Sequence, residues 1–254
     1  MPTAAGLYYF AHGEELRDRP PVLLLHGAGG SHLSWPPQIR RLTGQRIFAL
    51  DLPGHGKSDG VGMQDIDEYA KSVYEFMKSV HLSNVVVVGI SMGSAIAMSL
   101  ALTYRKRVIG LGLIGSGAKL RVAASTLEGA ANSSTFLPVV ETVIENSYGS
   151  NVDPRVKELA VQQMAETRRA VLYGDFLACD AFDVMERVDK IDIPTLIICG
   201  SQDRMTPPSR STYLHEHIEG SQMHILEGTG HMAMIEQPEM VAGLLAEFVE
   251  QTPY

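Results

Sequence analysis

Apolar residues fall into two alternating rhythms along the chain. Continuous runs at Val22–Leu25, Ile47–Leu50, Val85–Val88, Val108–Ile114 and Thr195–Cys199 need burial on both faces, and they predict buried strands of a parallel sheet. Leu7–Ala11 and Gln222–Leu226 predict two more strands. Between them the spacing turns helical. From Asp65 to His81, residues Ile66, Tyr69, Ala70, Val73, Phe76, Met77 and Val80 share one side, the stripe of an amphipathic helix. Ala95, Ile96, Met98, Ala101 and Leu102 predict a helix after Ser91, and further helices are expected at Pro37–Leu42, from Pro207 and Pro208 to His217, and at Pro238–Glu250. Strands alternating with helices predict a mostly parallel sheet covered on both faces, the α/β class.

The alternation stops between Ala118 and Lys190, where helical segments follow one another near Val122–Ala131, Val139–Tyr148, Pro154–Thr167 and Arg169–Phe182. Residues 118–190 are therefore expected to form a helical cap, with 1–117 and 191–254 as the core. Phe136, Leu137, Leu172 and Phe176 are apolar beyond the needs of a solvated layer, so they are expected to roof a pocket whose floor holds Gly27, Trp35, Met205 and Met232. Packing between cap helices would use many of the same side chains.

Bulk composition narrows the partners. A chain of 254 residues is long enough for one large domain, and 45% hydrophobic with 20% charged residues is ordinary for a globular protein. The formal net charge of -8 argues against nucleic acid and against an anionic membrane face. No apolar run is long enough to span a bilayer, and the first residues lack the charged and apolar regions of a secretory signal. Cys179 and Cys199 are expected to be buried reduced thiols of a cytoplasmic protein. Nothing fixes the oligomeric state; monomer and homodimer both stay open.

The candidate chemistry gathers after the strands. Gly89-Ile90-Ser91-Met92-Gly93 is G-x-S-x-G between a strand and a helix, a sharp turn that lifts a serine hydroxyl over the sheet edge. A serine needs a base, and the base needs an orienting acid. Among the histidines after Ser91, His215 and His217 fall on a helix and His224 within a strand, leaving His231 in a glycine-flanked loop after a strand. Asp203, in the loop after Thr195–Cys199, supplies the acid, although an aspartate before Met205-Thr206-Pro207 also suits a turn or a helix cap. The backbone N–H groups of Ala28 and Met92 are the expected oxyanion donors. The loop His26-Gly27-Ala28-Gly29-Gly30 fits neither G-x-G-x-x-G nor a P-loop. Asp51, His55 and Asp59 lie among glycine and proline without thiols, which favours turn chemistry over a metal site.

Together these motifs, with Asp51-Leu52-Pro53-Gly54-His55-Gly56-Lys57-Ser58, Gly200-Ser201-Gln202-Asp203 and Gly228-Thr229-Gly230-His231, resemble the α/β-hydrolase superfamily from about Leu7 to the C-terminus, the cap excepted. The resemblance implies a sheet of seven to eight strands, a helical cap inserted after strand 6, and a serine esterase mechanism without cofactor or metal. The first loop and elbow are similar to those of carboxylesterases, monoacylglycerol lipases and enol-lactonases. Ser91, where dehalogenases and epoxide hydrolases of this fold carry aspartate, speaks against both. The expected substrate is a small-molecule carboxylic ester of small to medium acyl chain. Lactone or thioester hydrolysis, and a receptor that binds but scarcely turns over, are the alternatives.

Overall fold

Successive residues of a strand face opposite ways, so the apolar runs fill both sides of the sheet. Leu23, Leu25, Val85 and Val87 enter one core cluster, while Val22, Leu24, Val86 and Val88 enter the other. The computed structural model describes residues 2–15 and 18–254. Among these residues the strands are β1 (Thr3–Ala4), β2 (Leu7–His12), β3 (Val22–Leu25), β4 (Ile47–Leu50), β5 (Val85–Ile90), β6 (Val108–Ile114), β7 (Thr195–Gly200) and β8 (Gln222–Leu226). They form one sheet in the order β1-β2-β4-β3-β5-β6-β7-β8. Antiparallel pairing joins β1 to β2 and β2 to β4; every other pair is parallel.

The direction of winding reverses at β3, which pairs with β4 on one side and β5 on the other. An α/β sheet opens a crevice at the carboxyl ends of its strands where this happens. Leu25 stands opposite Gly89, so the loops that leave β3 and β5 emerge side by side.

Helices α1 (Pro37–Arg40), α2 (Ile66–Ser79) and α3 (Met92–Thr103) follow β3, β4 and β5. Asp65 starts α2 by accepting from the Asp67 and Glu68 N–H groups at 2.7 and 3.2 Å. Its buried side, from Ile66 through Met77, is the stripe expected from the spacing. Helix α3 is buried at every position from Met92 to Ala101, and its small residues let it lie close to the sheet. Four helices stand between β6 and β7: α4 (Ala124–Ala131), α5 (Phe136–Ser147), α6 (Pro154–Glu166) and α7 (Arg169–Ala181). They share an apolar cluster built on Val140, Ile144, Tyr148, Leu172 and Phe176. After β7 come α8 (Pro208–His217), then β8, then α9 (Ala233–Glu236) and α10 (Pro238–Gln251).

Two short elements escape the periodicity. β1 is two residues long, and α9 is a single turn after His231. Neither is long enough to show a repeat.

Candidate active site

The turn after β5 is built by close backbone contact. A Cβ on Gly89 would lie 2.1 Å from the Gly93 carbonyl oxygen, and one on Gly93 would lie 2.2 Å from that of Leu25. Ser91 takes up the bend with φ 53° and ψ -116°, a left-handed conformation that costs a non-glycine residue about 1–3 kcal/mol. Ser91→Gly should therefore raise stability by about 1 kcal/mol while ending turnover. A thermal melt read beside an esterase assay checks both halves.

Ser91 sits directly before α3, and its N–H donates to the Ile114 carbonyl at 3.0 Å. Met92 is the first residue of α3, so its N–H is among those that a helix leaves without an internal partner. Its side chain is buried in the core.

The turn of Gly27–Gly30 faces this elbow. Leu52 N–H donates to His26 Nε2 at 3.0 Å, so the proton of this neutral ring resides on Nδ1, which donates to the Gly27 carbonyl at 2.7 Å. Burial, with His55 alongside, pushes the His26 pKa down to about 4, which keeps the ring neutral at physiological pH. Gly30 N–H donates to the same carbonyl at 3.1 Å. In a trans peptide the N–H points opposite to the C=O, so these two donors set the direction of the Ala28 N–H.

Asp203 and His231 meet at the ends of β7 and β8. His231 Nδ1 lies 2.8 Å from Asp203 Oδ2, and both side chains are almost wholly buried. The other carboxylate oxygen, Oδ1, accepts from the Met205 and Thr206 N–H groups, each at 2.8 Å. The turn aspartate and the partner of histidine, which sequence offers as alternatives, are one residue using its two oxygens for the two tasks. Thr206 adds a contact that sequence reasoning missed: its hydroxyl donates to Asp203 Oδ2 at 2.8 Å and lies 3.2 Å from His231 Nδ1. The spacing Asp-x-x-Thr before a proline is the available signal.

Burial pushes the Asp203 carboxyl up, but the His231 imidazole and the hydrogen bonds from His231 and Thr206 outweigh it and hold it below its ordinary value. A depressed carboxyl pKa contributes stability that is full above the unfolded value, about 3.9, and is lost as pH falls through the folded value. The stability gap between the wild type and Asp203→Asn should thus be full at neutral pH and fade below pH about 4. Denaturant melts across that window measure it.

Gly115 backs the imidazole from the end of β6. Its φ is 50°, and a Cβ there would come within 2.8 Å of His231 Nδ1. Glu236 fixes the loop before His231 by accepting from the Gly149 and Gly230 N–H groups at 3.0 Å each.

Ser91 and His231 face one cavity of about 710 Å³, between the sheet edge and α4–α7. Among the residues expected to line it, Gly27, Phe176, Met205 and Met232 do so, and Ala28, expected as an oxyanion donor, lines it as well. Four others correct the expectation. Trp35 is fully buried in the core on the far face of the sheet, against Ile39 and the residues of α10. Leu137 points outward and is 49% exposed. Phe136 and Leu172 pack within the helical layer instead of lining the cavity. The rival use of these side chains, helix against helix, takes both.

Asp51 and His55 are both buried but bond to different partners. Asp51 accepts from His32 Nδ1 at 2.8 Å and from the Lys57 N–H at 2.8 Å, whereas His55 Nε2 lies 2.8 Å from Asp175 Oδ2 in α7. Among the described residues no cluster of three or more His, Cys, Asp or Glu side chains has the arrangement of a metal site. No helix among them is long and apolar enough to cross a membrane.

A parallel-rich sheet with a serine on a strained strand-to-helix turn, and Asp and His on later strand ends, defines a class of enzyme scaffold. The sequence matches the alpha/beta hydrolase family over residues 22–244, and the chain belongs to it. It is similar to the pimeloyl-[acyl-carrier protein] methyl ester esterase of Neisseria meningitidis, 29% identical over 248 residues that cover 90% of this chain and 93% of that protein. The 3-oxoadipate enol-lactonase 1 of Acinetobacter baylyi is 26% identical, with 91% of this chain and 89% of that protein covered. The solved structure of a thermophilic esterase superposes with a TM-score of 0.80 at 30% identity, covering 96% of this chain and 98% of that one.

Proposed function

We propose that the protein hydrolyses carboxylic esters through an acyl-enzyme on Ser91. The observation that carries this reading is the Asp203–His231 pair, with His231 and the strained Ser91 opening onto one cavity. Asp203 holds Nδ1, which leaves Nε2 to take the Ser91 proton as Oγ attacks the ester carbonyl. The tetrahedral oxyanion is received by the N–H groups of Ala28 and Met92, each such donor being worth about 2.7–4 kcal/mol. His231 returns the proton to the departing alcohol, then activates the water that frees the acid. No cofactor enters the scheme.

The cavity is of a size that holds a small to medium ester. Its lining includes the apolar side chains of Val143, Ile144, Phe176 and Met232. The two buried, unpaired cysteines fit a cytoplasmic setting. A second reading, lactone hydrolysis by the same groups, is favoured by the enol-lactonase relative.

The test is a panel of p-nitrophenyl esters from acetate to palmitate, with lactones, acyl thioesters and monoglycerides beside them and Ser91→Ala as control. Rates should peak among the short and medium acyl chains and fall sharply at palmitate. Faster turnover of lactones than of matched open esters would select the second reading. Equal, slow release by wild type and Ser91→Ala would leave a binding protein.

A further inference from the structure

Asp175 lies in α7, apart from the residues assigned to the reaction, and its side chain is completely buried. A carboxylate in such a place is costly unless every lone pair finds a donor. Three do. Gly29 N–H donates to Oδ2 at 2.9 Å, His55 Nε2 lies 2.8 Å from the same oxygen, and the Tyr69 hydroxyl donates to Oδ1 at 2.6 Å. Burial alone would lower the His55 pKa, but the Asp175 carboxylate outweighs it and raises the value.

The first of these donors is informative, because Gly29 immediately follows Ala28. The Gly29 carbonyl is held too, accepting from the Thr167 hydroxyl at 3.0 Å. Both polar groups of this residue are thus bonded to side chains of the helical insertion, not of the sheet that carries the loop. Gly29 has φ 65°, and a Cβ there would meet Leu172 Cδ1 at 2.9 Å and Met164 Cγ at 3.1 Å, so the insertion is seated directly upon it. On the other side of Ala28, His26 and Gly30 fix the Gly27 carbonyl. The peptide whose N–H is to meet the oxyanion is thus held by the core at its Gly27 carbonyl, and the next peptide is held at its Gly29 N–H by Asp175 of α7.

We propose that Asp175 is a positioning residue for ester hydrolysis, fixing from the helical insertion the Gly29 peptide and with it the direction of the Ala28 N–H. The role rests on the ester-hydrolase reading above. It makes the seated insertion part of the oxyanion site as well as a roof, since the loop takes its working shape only with Asp175 and Thr167 in place. Misplacing a reacting or stabilising group by an ångström costs about 100-fold in rate, whereas ground-state binding of the ester depends on the whole cavity.

Asp175→Ala removes the acceptor of Gly29 and should lower kcat for p-nitrophenyl butyrate by about 10- to 100-fold with KM changed by less than about three-fold. Affinity for a trifluoromethyl ketone, whose adduct needs the oxyanion donors, should fall in parallel. Asp175→Asn keeps one oxygen for Gly29 and His55 and turns its amide toward Tyr69, so it should restore kcat to within about three-fold of wild type. Tyr69→Phe removes a bond of the same cluster without touching Gly29, and it should lower the melting temperature while leaving kcat within about two-fold. Should Asp175→Ala fail to fold, Asp175→Glu replaces it: the longer side chain displaces the Gly29 peptide and should cut kcat at least about ten-fold, while Asn does not.

A kcat unaffected in the Ala or Glu variant, a change confined to KM, or a loss in Tyr69→Phe as large as in Asp175→Ala would overturn the proposal. If Ser91→Ala matches wild type, the ester-hydrolase reading itself has failed. That outcome is visible before any Asp175 variant is made.

Discussion

Ser91→Ala is expected to lower kcat for p-nitrophenyl butyrate by about a million-fold, the scale reached when the nucleophile of a serine triad is removed. KM should change by less than about three-fold, because the cavity walls contributed by Ala28, Phe176 and Met232 stay in place. His231→Ala should cost about as much, and the double variant no more than either single one, since in the proposed mechanism the serine, histidine and aspartate act as one unit. Steady-state assays at equal, high enzyme concentration give all three values. Additive losses would mean that Ser91 and His231 do not share a proton, and the proposed mechanism would have to be abandoned.

The largest expected effect on stability belongs to Gly89→Ala. A Cβ there would stand 2.1 Å from the Gly93 carbonyl oxygen and 2.4 Å from the Ser94 nitrogen, both backbone atoms at the start of α3. Neither side can yield easily. β5 is paired on both edges, with β3 and with β6, and α3 is buried along most of its length. A loss above about 4 kcal/mol is expected, or a fall in Tm of roughly 10 °C or more at this chain length. Gly243→Ala is the matched control: that position faces open space in α10, and the change should be neutral or stabilising by up to about 1 kcal/mol. Calorimetric melts of the two variants compare them directly.

What was legible in the sequence follows from what repeats and what punctuates. Val85–Val88 announces a central strand because four consecutive β-branched residues make sense only with both faces covered, and the structure puts Val85 and Val87 in one cluster and Val86 and Val88 in the other. The parallel-rich sheet and α2 were readable for the same reason. Their places in loops directly after strands brought Asp203 and His231 forward as partners, and they lie within hydrogen-bond distance.

Contacts made across long stretches of sequence were harder to read. Trp35 looks like a wall of the pocket because it follows the glycine loop, yet a turn at His32–Ser34 carries it into the core beneath the sheet. Leu137 and Phe136 occupy neighbouring positions at the start of α5, and only the packing of that helix decides that one is exposed and the other rests on the helical layer. Asp175 carries no local signal at all. Its partners Gly29, His55 and Tyr69 come from three separate segments before it, so nothing within its own helix marks it as different from a surface acid.

The insertion of α4–α7 has a cost in assembly. β6 ends at Ile114, and its outer neighbour β7 begins only at Thr195, so the strand must wait for a distant part of the chain before that edge is closed. Until then Leu111 and Leu113, with Gly112 between them, offer unpaired backbone groups along an apolar ribbon. Long-range parallel pairing is slow and leaves partly folded chains prone to stick to one another. During synthesis the half made first therefore presents an adhesive margin, and the helices that later roof the cavity are also the delay in covering it.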